Sequence, residues 1–152
     1  NKLLLNMILI FSIFALSAAY FIQFILGHKP CNLCLIERIP YIASIILISL
    51  VFILQKFERV IILLIGLFFL FGTIVSFYHV GIEQGYFNES LVCNLTNFSN
   101  NLTNEQLLKE LTEKPVSCKD VTFTVFGISL ATFNTIISAV ISGIMLVKFF
   151  KK

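Results

Sequence analysis

Four cysteines are the residues in this chain with the most chemistry to offer, and they fall into two groups. Cys31 and Cys34 are spaced as a CxxC, whereas Cys93 and Cys118 stand far apart. Four cysteines allow three pairings. A disulfide closing so short a ring as CxxC restrains little chain and is a poor structural staple. It is suited instead to exchange, in which a thiolate attacks a disulfide through a mixed intermediate. Cys34 is the candidate for the stabilised thiolate. Arg38 lies four residues on, on the same face if a helix begins near Cys34, and a helix start adds partial positive charge. A structural zinc site normally takes two closely spaced ligand pairs. The wide spacing of Cys93 and Cys118 argues against it, so no metal is expected. Two inert structural disulfides are the plainer alternative to a relay of two exchangeable pairs, and the CxxC favours the relay.

Other side chains need weighing beside the cysteines. Arg38 could be a snorkelling anchor at a membrane boundary. His79 could move protons or merely cap a helix end. Glu83 reads as a solvated loop acid rather than a proton relay, Gln23 as glue between helices, and Glu37 as a partner for its neighbour Arg38.

The elements that must position these residues are set by composition. Of 152 residues, 58% are apolar and only 12% charged, with a mean hydropathy of +0.96. Soluble domains carry about 25% charged residues, so lipid must solvate much of this surface. Four apolar stretches, about 3–26, 35–54, 60–80 and 125–147, are each long enough to cross a bilayer, and in lipid they must be helices. The expectation is an all-α, integral-membrane, antiparallel four-helix bundle forming one domain over 1–152. Loops at about 27–34 and 81–124 face outward and carry the two cysteine pairs. The first stretch is longer than a signal-peptide core and is not followed by a small-x-small cleavage site, so it reads as a retained span. Within the long loop, Thr103 to Gln106 matches a capping box. A short amphipathic helix over 103–112 would then lie on the membrane or cover a small core of its own.

Charge gives the orientation. Lys2, Lys56, Arg59, Lys148, Lys151 and Lys152 crowd the short segments of one side, accompanied there by a single acid, Glu58. By the positive-inside rule both termini are cytoplasmic. The cysteines are then outside, where disulfides persist. The basic residues form no stripe with interleaved aromatics, which excludes nucleic-acid binding.

A thiol relay that ends in a membrane needs an electron sink. There is no His/Cys metal cluster or GxGxxG in the sequence, so elimination leaves a lipid-soluble quinone docked near the CxxC. The run Lys29-Pro30-Cys31-Asn32-Leu33-Cys34-Leu35-Ile36-Glu37-Arg38 resembles the signature of the disulfide bond formation protein B (DsbB) family. So do Tyr78-His79-Val80-Gly81-Ile82-Glu83-Gln84-Gly85, and Phe126-Gly127-Ile128-Ser129-Leu130-Ala131 with Asn134. The resemblance covers nearly the whole chain, in order.

It implies a protein-disulfide:quinone oxidoreductase of the bacterial inner membrane. Its partner would be a periplasmic, thioredoxin-fold, DsbA-like oxidase, and its acceptor ubiquinone or menaquinone. It also implies the pairings Cys31–Cys34 and Cys93–Cys118. Cys93 would be attacked by the partner's cysteine, and Cys118 would relay electrons toward Cys31. Cys34 would face the quinone, which Arg38 and His79 would help to hold. The long loop lacks the tryptophans, and the proline near Cys93, that many relatives show. Two other readings are a quinone reductase of the vitamin K epoxide reductase type and a non-catalytic membrane scaffold.

Overall fold

The computed structural model describes residues 2–54, 57–88, 93, 118–119, 124–125 and 127–151. The proposed helix over 103–112 lies outside these residues. The chain forms α1 (Lys2–Phe24), α2 (Asn32–Ile36), α3 (Ile39–Leu54), α4 (Glu58–Glu83), β1 (Thr124–Val125), β2 (Ile128–Ser129) and α5 (Leu130–Phe150). With α2 and α3 taken together, four helical segments are long and apolar enough to cross a membrane. The protein is an all-α, multi-pass membrane bundle.

Each helix shows why it packs as it does. On α4, the residues Ile65, Phe69, Gly72, Ser76 and His79 are all buried, and their alternating spacing of four and three puts them on one face. The opposing face of α5 buries Ala131, Ser138, Ile141, Ser142 and Met145. These two helices make the tightest pair in the bundle. Ser142 Oγ donates to the Gly66 carbonyl at 3.0 Å across the pair, the kind of close approach that small residues permit between membrane helices. On the other side of α4 lies α3, and α1 packs on α3, joined to it by a 2.8 Å bond between the Ser12 and Ser44 hydroxyls. Most of the remaining large apolar side chains, such as Ile10, Phe71 and Val147, point outward, as a lipid solvent requires.

The order around the bundle is therefore α1, α3, α4, α5, and the ring does not close, because α1 packs on α3 and hardly touches α5.

Two junctions depart from a reading by apolar runs alone. The second apolar segment is broken at Glu37–Arg38, between α2 and α3. Pro40 accounts for the break, since it has no N–H for the Ile36 carbonyl and its ring would crowd that carbonyl in a continuous helix. At the other junction, α5 begins at Leu130 although the apolar run starts at Val125. Thr124–Val125 pairs antiparallel with Ile128–Ser129, and Gly127 turns the chain at φ +80°, a conformation open to glycine. Ser129 then caps α5, its hydroxyl accepting the Thr132 N–H at 3.2 Å.

Gly72 sits where α3, α4 and α5 converge. A Cβ there would lie 2.8 Å from Pro40 Cγ and 3.7 Å from Ser138 Oγ, and a proline ring cannot swing aside. Gly72→Val is expected to destabilise the bundle by about 1–3 kcal/mol through overpacking. The measurement is the unfolding midpoint in a denaturing-detergent titration, and an unchanged midpoint would show that α3 can shift freely.

Candidate functional site

At one end of the bundle Cys31 caps α2. Its backbone is extended, with φ −71° and ψ 166°, and its Sγ accepts the Cys34 N–H at 3.1 Å. Cys31 is disulfide-bonded to Cys34, and Cys93 to Cys118. Both cysteine pairs gather at the same end. Cys31, Leu33, Ile82, Cys93 and Cys118 form one buried apolar cluster, with Cys34 packed against it. Exposure differs within the set: Cys31, Cys93 and Cys118 are at most 5% exposed, whereas Cys34 is half-buried.

From Cys31 a chain of polar contacts runs into the bundle. His79 on α4 places Nε2 3.6 Å from Cys31 Sγ. Its Nδ1 lies 2.7 Å from Glu37 Oε1. A carboxylate only accepts, so Nδ1 carries the proton toward Glu37; the disulfide sulfur likewise has no proton to give, so Nε2 donates to it only when the ring is protonated there as well. The other Glu37 oxygen accepts from Asn134 Nδ2 at 2.9 Å. Asn134 also donates to Ser76 Oγ at 3.1 Å, and its carbonyl accepts from Tyr41 OH at 2.6 Å. The network therefore links α3, α4 and α5 and holds the imidazole in a fixed plane. Glu37, 9% exposed, is its hub. It pairs with His79 and Asn134, not with its neighbour Arg38 as the sequence suggests. The break at Glu37–Arg38 is what turns the two side chains apart.

Arg38 reaches the other way, to α1. Its Nη1 donates to Gln23 Oε1 at 2.8 Å, and its guanidinium lies 5.0 Å from the centre of the Tyr20 ring, a favourable cation–π placement. Gln23 thus joins helices, as its position in the first apolar run suggests. Glu83 is the last residue of α4 rather than part of a solvated loop. Its side chain is only 10% exposed, and Oε1 lies 3.9 Å from His79 Nε2.

Cys31, Cys34, Arg38 and His79 all border one cavity of about 440 Å³. The cavity occupies the gap between α1 and α5. Its deeper wall is apolar, from Phe11, Phe14, Ala15, Ala18, Phe133 and Ile137, and its polar groups collect at the disulfide end with Gln23, Glu37 and Glu83. Arg38 and Cys34 thus border the same cavity, with the guanidinium anchored on α1. An apolar pocket with a few converging polar groups is the usual form of a small-molecule site.

The profile of the family described as disulfide bond formation protein DsbB matches residues 1–148. The chain belongs to the DsbB family. It is also similar to an uncharacterized protein of Rickettsia prowazekii (strain Madrid E), 30% identical over 137 residues, which are 88% of this chain and 80% of that one. No solved structure matches. Membership makes the chain a membrane oxidoreductase of disulfide-bond formation, and both cysteine pairs are formed as disulfides.

A reading by residue type brought out the cysteines, Arg38 and His79, but made Glu37 only a partner for Arg38, named Asn134 only within a family motif, and gave no role to Ser76 or Tyr41. One signal was available. An ionisable or amide side chain inside a membrane segment normally faces the bundle interior and finds a partner there, and Glu37 and Asn134 are such residues.

Proposed function

We propose that this DsbB-family chain is a protein-disulfide:quinone oxidoreductase. It oxidises the dithiol of a periplasmic, thioredoxin-fold, DsbA-like protein and passes two electrons to ubiquinone or menaquinone. It acts in the bacterial inner membrane with both termini cytoplasmic. The observation that carries this reading is the adjacency of the two disulfides in one cluster, with Cys34 opening on an apolar cavity.

The steps balance as exchanges. The partner's thiolate attacks Cys93, forming one S–S bond and releasing the Cys118 thiolate. The partner's second cysteine then resolves the mixed disulfide and leaves oxidised. Cys118 attacks Cys31, which releases the Cys34 thiolate at the cavity wall. Cys93 closes on Cys118 again, leaving Cys31 and Cys34 as the reduced pair. Because Cys93 is only 4% exposed, the first step requires its bridge to come out from beside Leu33 and Ile82.

The cavity suits a quinone, with an apolar body for the tail and polar groups at the disulfide end for the ring oxygens. A bound quinone supplies the acceptor for two electrons and two protons. Arg38, fixed by Gln23 and Tyr20, presents a cation to the cavity that Cys34 also borders. That cation stabilises the thiolate and helps hold a quinone oxygen. His79, its plane set by Glu37, holds the thiol proton at Nε2, beside Cys31 Sγ.

The test is anaerobic. Purified chain, a reduced thioredoxin-fold oxidase and a soluble quinone are mixed, and quinone absorbance is followed. Loss that depends on the chain supports the reading. No loss across a range of partners and quinones would leave a bundle with two structural disulfides.

Arg38→Ala separates the role of that residue from anchoring. A hydrogen bond to a charged group is worth about 1.5–3 kcal/mol. The KM for quinone should therefore rise about 10–100-fold while the KM for the protein partner holds. Equal rates at every quinone concentration would reduce Arg38 to an anchor.

A further inference from the structure

We propose that Cys31, Cys34 and His79 form a binding site for a thiophilic divalent cation of the Zn²⁺ or Cd²⁺ kind once the Cys31–Cys34 disulfide is reduced, with Glu83 as fourth ligand. The proposal rests on the reading of Cys31–Cys34 as a pair that is reduced during turnover. It differs from a four-cysteine zinc site, because it uses one cysteine pair and exists only in the dithiol state.

The ligand atoms of Cys31, Cys34 and His79 already lie within 4.8 Å of one another. In a tetrahedral zinc site with Zn–S about 2.3 Å and Zn–N about 2.0–2.1 Å, sulfur and nitrogen stand about 3.6 Å apart. Cys31 Sγ and His79 Nε2 are 3.6 Å apart. The ring is also presented correctly. Its Nδ1 is engaged by the Glu37 carboxylate at 2.7 Å, which leaves Nε2 as the nitrogen that ligates, as behind most histidine ligands of metals. The Cys34 N–H directed at Cys31 Sγ stabilises charge on that sulfur. Glu83 Oε1 stands 3.9 Å from Nε2, and a tetrahedral N···O edge is about 3.4 Å. Glu83 is not among the three residues whose ligand atoms lie within 4.8 Å of one another, so its flexible side chain must swing by more than about 1 Å toward the cysteine sulfurs to complete a tetrahedral set. Two thiolates and an imidazole select zinc-like cations over magnesium or calcium.

The balance is simple. Two electrons from a dithiol, with two protons, convert the disulfide into two thiols, and the cation then displaces those protons and binds both thiolates. Thiolates held in this way cannot attack a disulfide or donate to an acceptor. The metal therefore arrests the chain in its reduced form.

The full chain in detergent is reduced anaerobically with a phosphine, and its thiols are counted by maleimide labelling. Cd²⁺ is then titrated, with the thiolate-to-cadmium charge-transfer absorption as readout and Zn²⁺ as competitor. The reduced Cys93→Ser/Cys118→Ser variant should bind one Cd²⁺ per chain and its oxidised form none. His79→Gln in that background should weaken binding at least tenfold, and Glu37→Gln about 10–100-fold. If the double variant does not fold, reduced wild type is compared with Cys31→Ser/Cys34→Ser, which should lack the His79-dependent absorption. Two counted thiols with no such absorption, or absorption indifferent to His79→Gln, overturn the metal site and leave the exchangeable pair standing. Thiols that neither phosphine nor dithiol can release overturn both.

Discussion

Cys34→Ser is expected to reduce quinone consumption to the rate without protein, yet to leave one round of partner oxidation intact. The variant still carries the Cys93–Cys118 bridge, so it should oxidise one equivalent of partner dithiol per chain and stop. Cys93→Ser should fail in the opposite way. It should lose activity with the protein partner but keep consuming quinone when a small dithiol reduces Cys31–Cys34 directly. The contrast follows from thiolate exchange, in which each bridge is opened only by the nucleophile that can reach it. Cys34 borders the cavity, whereas Cys93 and Cys118 lie in the cluster behind it. Quinone absorbance and a thiol count on the partner, taken from the same reaction, decide the matter. Continued quinone loss in Cys34→Ser with the protein partner would remove Cys34 from the relay, and a scaffold would show no difference among any of these variants.

The second large effect is expected at Glu37, a residue that forms no disulfide. Glu37→Ala leaves His79 Nδ1 and Asn134 Nδ2 without the acceptors they have at 2.7 and 2.9 Å. A buried group deprived of its partner costs about 1–3 kcal/mol, so the loss should be about 2–5 kcal/mol, the two groups sharing one network. Glu37→Gln keeps an acceptor for one donor only, and its loss should fall between wild type and alanine. Unfolding midpoints in detergent give the stabilities. The rate of quinone reduction should fall further than stability explains, because His79 is then free to turn from Cys31. Wild-type stability for both variants would mean that other groups satisfy these donors.

Much of the architecture was legible because lipid imposes a severe rule. Apolar runs long enough to cross must be helices, and the four runs are four helical segments. The ends were less legible. They depend on individual residues, such as Pro40 breaking the second run and Gly127 and Ser129 delaying α5 to Leu130, whose influence a hydropathy pattern averages away. The cysteines announced themselves by type and spacing. The support around them did not, because Glu37 beside Arg38 looks in one dimension like an ordinary neighbouring ion pair. Only the turn at 37–38 shows that one side chain goes to α4 and α5 while the other goes to α1. Likewise Asn134 and Ser76 are far apart in sequence, and nothing short of the α4–α5 packing brings their side chains within 3.1 Å.

The unclosed ring of helices bears on how a ligand of the cavity is supplied. A gap between α1 and α5 is a side door to the acyl chains, so a lipophilic molecule enters laterally without returning to water. Its occupancy then follows its mole fraction in the bilayer. Diluting the vesicles in buffer should leave saturation unchanged, whereas adding blank lipid at constant total ligand should lower it.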